Sequence, residues 1–162
     1  MTLQIDDREL ELRSVLDWVR FYRSRGLVVL PVNFGTKECR IKDWQKLPPE
    51  ELKKMITENH NIGIRLDGLS VLDLERKELI KAFFNADAEV IAKKTWVAET
   101  GKGYHVYLRG TLPGKDPKRV DQLVEFKTGN GQYVVAPPSL HPDGARYKWL
   151  SEVELIEISR ER

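Results

Sequence analysis

The stretch from Asn61 to Glu75 constrains this chain more than any other. Two apolar, β-branched runs, Asn61-Ile62-Gly63-Ile64-Arg65-Leu66 and Leu69-Ser70-Val71-Leu72-Asp73-Leu74-Glu75, flank the dipeptide Asp67-Gly68. Asp-Gly between such runs is the strongest short-range hairpin signal a sequence carries. A two-residue turn pairs Leu66 with Leu69, Ile64 with Val71 and Ile62 with Asp73. Residues two apart on a strand share a face, so Asp73 and Glu75 stand together at the far end of this hairpin, beside Ile64 and Val71. Neighbouring like charges resist joint ionisation, so two carboxylates at the mouth of an apolar sheet call for a compensating partner. A divalent metal is the obvious one; a strand-end ion pair with Arg76, Lys77 or another base is the plainer alternative.

Upstream, Leu12, Val15, Leu16, Val19 and Tyr22 follow helical spacing between Arg8 and Arg25, and Gly26 stands where that helix stops. Leu27 to Val32 reads as a buried strand whose Pro31 demotes its end to an edge or a bend. Pro48-Pro49-Glu50-Glu51 opens a short helix running to about Asn59, with proline and acids where a helix N-terminus favours them. Lys77 to Lys94 reads as one or two helices. Beyond it the period changes to two, with Thr95 to Thr100 and Tyr104 to Arg109 forming a hairpin through Gly101-Lys102-Gly103. A third hairpin has arms Leu123 to Lys127 and Gln132 to Ala136, joined through Thr128 to Gly131. Tyr147 to Trp149 and Val153 to Ile158 add two short strands. Helices first and antiparallel strands later indicate an α+β or mixed α/β fold, one domain over 1–162 with an N-terminal α/β part (1–60) and a hairpin-rich sheet (61–162).

The formal net charge of +2 excludes binding of nucleic acid by overall charge and leaves only a local patch for it. A single cysteine, Cys39, excludes an intrachain disulfide and a cysteine-based structural zinc, which fits a reducing compartment. Without a signal peptide or an apolar run of membrane-spanning length, the expected location is the cytoplasm, away from membranes. Trp18, Trp44, Trp96 and Trp149 read as core rather than as base-stacking platforms, and His60 and His141 as surface or loop residues.

Each of the three hairpins carries ionisable residues among apolar ones: Asp73 with Glu75, then His105, then Glu125. In one sheet they converge. Three acids suit two divalent ions roughly 3.5 to 4 Å apart, the arrangement that serves phosphoryl transfer. Oxygen-only donors favour magnesium or manganese. The Gly101-Lys102-Gly103 turn frees backbone N–H groups, and Lys102 adds charge for a triphosphate. Singly, His105 also reads as a structural histidine, Glu125 as a partner of Lys127, and the glycine turns as ordinary connections.

The order of these motifs resembles a known family. Asn61 to Ile64, Gly68 to Glu75, Thr100-Gly101-Lys102-Gly103-Tyr104-His105-Val106-Tyr107, Val124 to Lys127 and Gly131 to Ser139 together resemble the bifunctional primase-polymerase domain of archaeal and bacterial plasmids and viruses, within the archaeo-eukaryotic primase superfamily. Gly26 to Val32 and Lys37 to Trp44 also match the family's N-terminal pattern. The resemblance implies an RRM-like catalytic core packed with an N-terminal α/β unit. It also implies DNA primase and DNA polymerase activity with nucleoside triphosphates, a single-stranded DNA template and a primer, and a helicase or C-terminal domain as partner on a longer chain. Residue by residue, it makes Asp73, Glu75 and Glu125 the catalytic, metal-binding acids. His105 becomes the contact to the nucleotide phosphates, with Lys102, Gly103 and Lys127 beside it. Two positions depart from the pattern. Glu125 stands where the family usually has aspartate, and Gly103 stands where the wider superfamily often has serine. The first departure sustains an alternative, a weak or inactive nucleotide- or nucleic-acid-binding module with the same fold. A replication nickase would need paired histidines, and Tyr104-His105-Val106-Tyr107 offers one.

Overall fold

A computed structural model describes residues 14–111, 118–119 and 123–159. Helix α1 spans Val15–Ser24 and begins in a capping box: the Ser14 side chain accepts from the Asp17 amide at 3.1 Å, and Asp17 accepts from the Ser14 amide at 3.2 Å. Glu58 takes the next two free amides, those of Val15 and Leu16, at 3.0 Å each. The part of the expected helix before Ser14 lies outside the described residues. Strand β1 (Val28–Asn33) follows and pairs with β2 alone among the described residues, so Pro31 costs it no ladder bond on the open side. Helix α2 is Pro49–Lys54; it ends earlier than Asn59, because Thr57 to Asn61 is taken up in a turn and the start of the next strand.

The principal correction concerns β2. Residues His60–Leu74 form one strand of 15 residues rather than a hairpin about Asp67-Gly68. Strand β6, Val124–Ala136, is likewise continuous where a third hairpin was expected, and the two long strands pair antiparallel along their length. Residues 67–69 of β2 and 130–132 of β6 stand outside this pairing, so the two glycine-bearing "turns" are bulges. Gly68 has a φ of +67°, as the turn expectation required, but its carbonyl accepts from the Gly110 amide at 2.7 Å. Asp67 is held by the Arg65 guanidinium at 2.6 and 2.8 Å. Lateral partners on both edges outweigh the local turn preference: β1 and β4 (Tyr104–Arg109) share one edge of β2, and β6 takes the other.

Strands β3 (Val97–Glu99) and β4 do form the expected hairpin. With β5 (Lys118–Arg119) and β7 (Lys148–Trp149) the sheet has seven strands, ordered β5-β6-β2-β4-β3-β7 with β1 also on β2, every pairing antiparallel. The fold is mixed α/β with a mostly antiparallel sheet and few helices. Between β2 and β3 lie α3 (Leu79–Phe84) and α4 (Ala88–Ala92), the pair of helices expected there. They cover one sheet face, burying Ile80, Ala88 and Ala92 against Leu72, Leu74, Val97, Val106 and Val124. The opposite face carries Leu69, Val71, Ala98 and Tyr107, packed with Ile62, Ile64 and Leu66 under Trp18, Val19 and Tyr22 of α1. Val153 to Ile158 is not a strand. It lies as an irregular cover whose Val153 and Ile158 enter this core, tied by Trp96 Nε1 to the Ile156 carbonyl at 2.6 Å and by the Arg109 amide to the Ser159 carbonyl at 2.7 Å. All four tryptophans pack within or against the cores. No helix among the described residues is long and apolar enough to cross a membrane.

Candidate active site

Because β2 runs straight into the sheet, the neighbours of Asp73 are set by register. His105 of β4 lies directly across on one side and Glu125 of β6 on the other. Directly opposed residues on adjacent strands hold their Cβ atoms about 4.5–5.5 Å apart, so these three side chains leave the sheet as a row. Alternation places them on the face of Val71 and Tyr107, away from α3 and α4. Asp73 sits at the rim of that packed face, with its side chain 21% exposed.

Two cations meet the Asp73 carboxylate. His105 Nε2 lies 3.5 Å from Oδ1, and Lys127 Nζ lies 3.7 Å from Oδ2. Lys127 reaches it diagonally from β6, where it stands opposite Val71. Burial opposes ionisation of Asp73, yet the hydrogen bond and charge of His105, then Lys127, then Lys37, hold its carboxyl down at about 2. Asp73 is therefore an anion throughout the pH range in which the protein works.

The other expected residues divide. Glu125 is half-buried in the row. Glu75 lies just past the end of β2, exposed, its amide donating to the Leu123 carbonyl at 2.9 Å. Lys102 is exposed on the β3–β4 turn, where its charge acts on Asp143. Gly103 has a steric reason for being glycine: a Cβ there would lie 1.7 Å from the Leu74 carbonyl oxygen. The turn packs backbone to backbone against the end of β2, which brings Lys102 and Gly103 beside Glu75. A serine cannot occupy this position without moving that turn.

Three residues that sequence reasoning passed over face the same place. Lys37, on the loop after β1, adds its charge to Asp73, and the Tyr133 hydroxyl anchors its carbonyl at 2.5 Å. Tyr147 is buried with its ring 6.1 Å from His105 and 5.5 Å from His141. Tyr107, two residues after His105, is fully buried beside Trp149. Of these only Lys37 had a signal, its place in the Lys37 to Trp44 segment; the tyrosines read as core. His141 is a loop residue as expected, with its Nδ1 2.9 Å from Asp143. A cleft of about 770 Å³, lined by Phe34, His60, Arg146, Tyr147, Lys148 and Trp149 among others, meets the row only at Tyr147.

The donor set fits a hard divalent ion in its chemistry: an ionised aspartate at the sheet rim, a glutamate in register beside it, and a second glutamate two residues on, all oxygen ligands. Among the described residues, no three histidine, cysteine or acidic side chains are drawn together into a ready metal cluster. The charge that offsets Asp73 here is that of Lys127 and His105.

Comparison with known proteins agrees with the geometry. A family model described as bifunctional DNA primase/polymerase, N-terminal, matches residues 19–160. No curated protein matches the chain.

Proposed function

The chain belongs to the bifunctional DNA primase/polymerase family, as its N-terminal domain, so its function is of DNA primase/polymerase type with nucleotides and DNA as substrates; from that premise we propose that it is a metal-dependent nucleotidyltransferase. It extends or starts a strand on a single-stranded template during replication of a plasmid, virus or related element, in the cytoplasm and alongside a helicase or further domain. The observation that carries this reading is the row Asp73, His105 and Glu125 in direct register, with Lys127 3.7 Å from Asp73.

In this reading Asp73, Glu75 and Glu125 hold two magnesium or manganese ions. When bound, such a pair activates the attacking 3′ hydroxyl and stabilises the leaving oxygen of an in-line displacement. The protein's own part is charge placement. His105 and Lys127, already drawn to the one fixed anion of the site, lie where the negative triphosphate must approach. Lys102, on a turn locked to the end of β2 by Gly103, supplies a third positive charge from the adjacent edge. The apolar wall of Val71 and Tyr107 keeps the row on one side of the sheet and limits its access to water.

The test is primer extension and unprimed synthesis on single-stranded template, with ribo- and deoxynucleotides and with each metal, comparing the wild type with Asp73→Ala. Incorporation by the wild type and none by the folded variant is expected; full activity in the variant refutes the assignment. One observation favours a second reading. The acids are not gathered into a metal cluster, and Glu125 is a methylene longer than aspartate, as a nucleotide-binding module that has lost the chemistry would allow. Nucleotide binding without incorporation, in both magnesium and manganese, selects that reading.

A further inference from the structure

Two buried polar atoms beside Asp73 have no partner within the protein: the Nδ1 of His105 and the hydroxyl of Tyr107. His105 is 5% exposed and Tyr107 0%. An unsatisfied buried donor or acceptor costs about 1–3 kcal/mol, and native interiors carry few of them. These two are not scattered. They stand two apart on β4, hence on one face, and it is the face of Asp73, whose Oδ1 lies 3.5 Å from the other nitrogen of the same imidazole. The tyrosine ring is fixed from the side by Trp149, 5.2 Å away, and Tyr147 closes the space next to His105 at 6.1 Å. A single buried water making hydrogen bonds to both atoms satisfies them together, the usual solution for polar groups sealed in an interior. Burial, then the nearby Tyr147 and Asp73, keep the Tyr107 phenol protonated, so it enters such an arrangement as a donor.

We propose that Tyr107 is the positioning residue of His105, its hydroxyl donating through one buried water to Nδ1. An imidazole whose Nδ1 accepts carries its proton on Nε2. The relay therefore fixes the tautomer and aims the Nε2 proton at the rim occupied by Asp73, where it can be donated to a phosphate oxygen. That last step rests on the nucleotidyltransferase reading; the relay does not. Tyr107 here does for a phosphate-contacting histidine what an outer hydrogen-bond partner does for a histidine that binds a metal, holding ring and tautomer in place.

The decisive measurement is nitrogen-15 NMR of the histidine rings in the full chain, free of nucleotide and metal, at a pH where the ring is neutral. The wild type should show His105 as the Nε2–H tautomer. Tyr107→Phe, which keeps the ring and its packing, should convert it to a mixture of tautomers, while Tyr147→Phe should leave it as in the wild type; amide spectra confirm that each variant is folded. A wild-type His105 protonated on Nδ1, or a tautomer untouched by Tyr107→Phe, overturns the proposal. In primer extension, Tyr107→Phe should raise KM for the nucleotide about tenfold, the loss of one hydrogen bond, with kcat changed less than about twofold; an unchanged KM overturns the phosphate-facing half of the proposal. A wild type that incorporates nothing refutes the polymerase reading, and the tautomer then still decides the relay.

Discussion

Gly103→Ala puts the contact between the β3–β4 turn and the end of β2 under direct strain. The new Cβ would lie 1.7 Å from the Leu74 oxygen and 2.8 Å from the Glu75 carbonyl carbon, and 3.0 Å is the least separation that real Cβ atoms show. Both obstacles are backbone, so no side chain can swing aside, and the turn must retreat from β2. Retreat breaks the pairing of Leu74 with Tyr104 and strains the bond of the Thr100 amide to the Gly103 carbonyl, now 3.1 Å. Two backbone hydrogen bonds at about 1 kcal/mol each, added to overpacking of about 1–3 kcal/mol, make a loss of roughly 3 to 4 kcal/mol. For a protein of this length each kcal/mol moves Tm by about 2–4 °C, so melting followed by circular dichroism should fall by about 6–16 °C. Gly103→Ser carries the same Cβ and should fall as far, even though serine is frequent here in the wider superfamily. Gly131→Ala is the control: nothing lies within 4 Å of its Cβ and its φ is not positive, so it should stay within about 0.5 kcal/mol of wild type. A Gly103→Ala protein that melts within a degree or two of the wild type refutes the packing argument.

Asp73 supplies a pH signature. Its carboxyl is held at about 2 in the folded protein against roughly 3.9 unfolded, so the stabilisation it provides is complete above the unfolded value and is lost as pH falls through the folded one. Urea unfolding should show the wild type losing about 2 kcal/mol more than Asp73→Asn between pH 5 and pH 2; parallel curves refute the charge pairing. Lys127→Met keeps the aliphatic stem but removes the charge 3.7 Å from Asp73, so the Asp73 carboxyl, followed by carbon-13 NMR, should titrate higher than in the wild type, and KM for nucleotide should rise about tenfold or more. Arg65→Met leaves Asp67 and the carbonyls of Trp44 and Leu47 without their donor. The urea midpoint should drop by roughly 3 kcal/mol equivalent, and an unchanged midpoint would show that the bulge does not depend on this ion pair.

The elements that local chemistry decides were legible in the sequence. Gly26 ends α1, the prolines and acids open α2, and Gly101 to Gly103 turns β3 into β4. What sequence could not decide was whether Asp67-Gly68 and Thr128 to Gly131 close hairpins or interrupt long strands. A glycine with positive φ serves a turn and a bulge equally well, and the choice belongs to strands far away in the chain: β1, from before residue 34, and β4, from after residue 103, compete for the edge that a hairpin would have used. The same holds for Val153 to Ile158. Its alternating apolar residues are buried as expected, but Trp96 Nε1 and the Arg109 amide claim carbonyls of the segment just where a ladder would run.

The site survived the misread hairpins for a physical reason. Period two fixes which side chains share a face whether the strand turns back or runs on, so Asp73 kept its face while its partners changed. The hairpin reading gave it Ile62; the sheet gives it His105 and Glu125. The correction therefore brings two of the expected residues closer to Asp73 than the sequence argument had placed them, and it moves Glu75 away, because a strand that ends at Leu74 leaves its next residue but one exposed beyond the last paired position. Tyr107 stayed hidden for the complementary reason. On a strand face shared with Val71 and Ala98 a tyrosine counts as core, and only its unpartnered hydroxyl, a fact of three-dimensional packing with no sequence signature, separates it from phenylalanine.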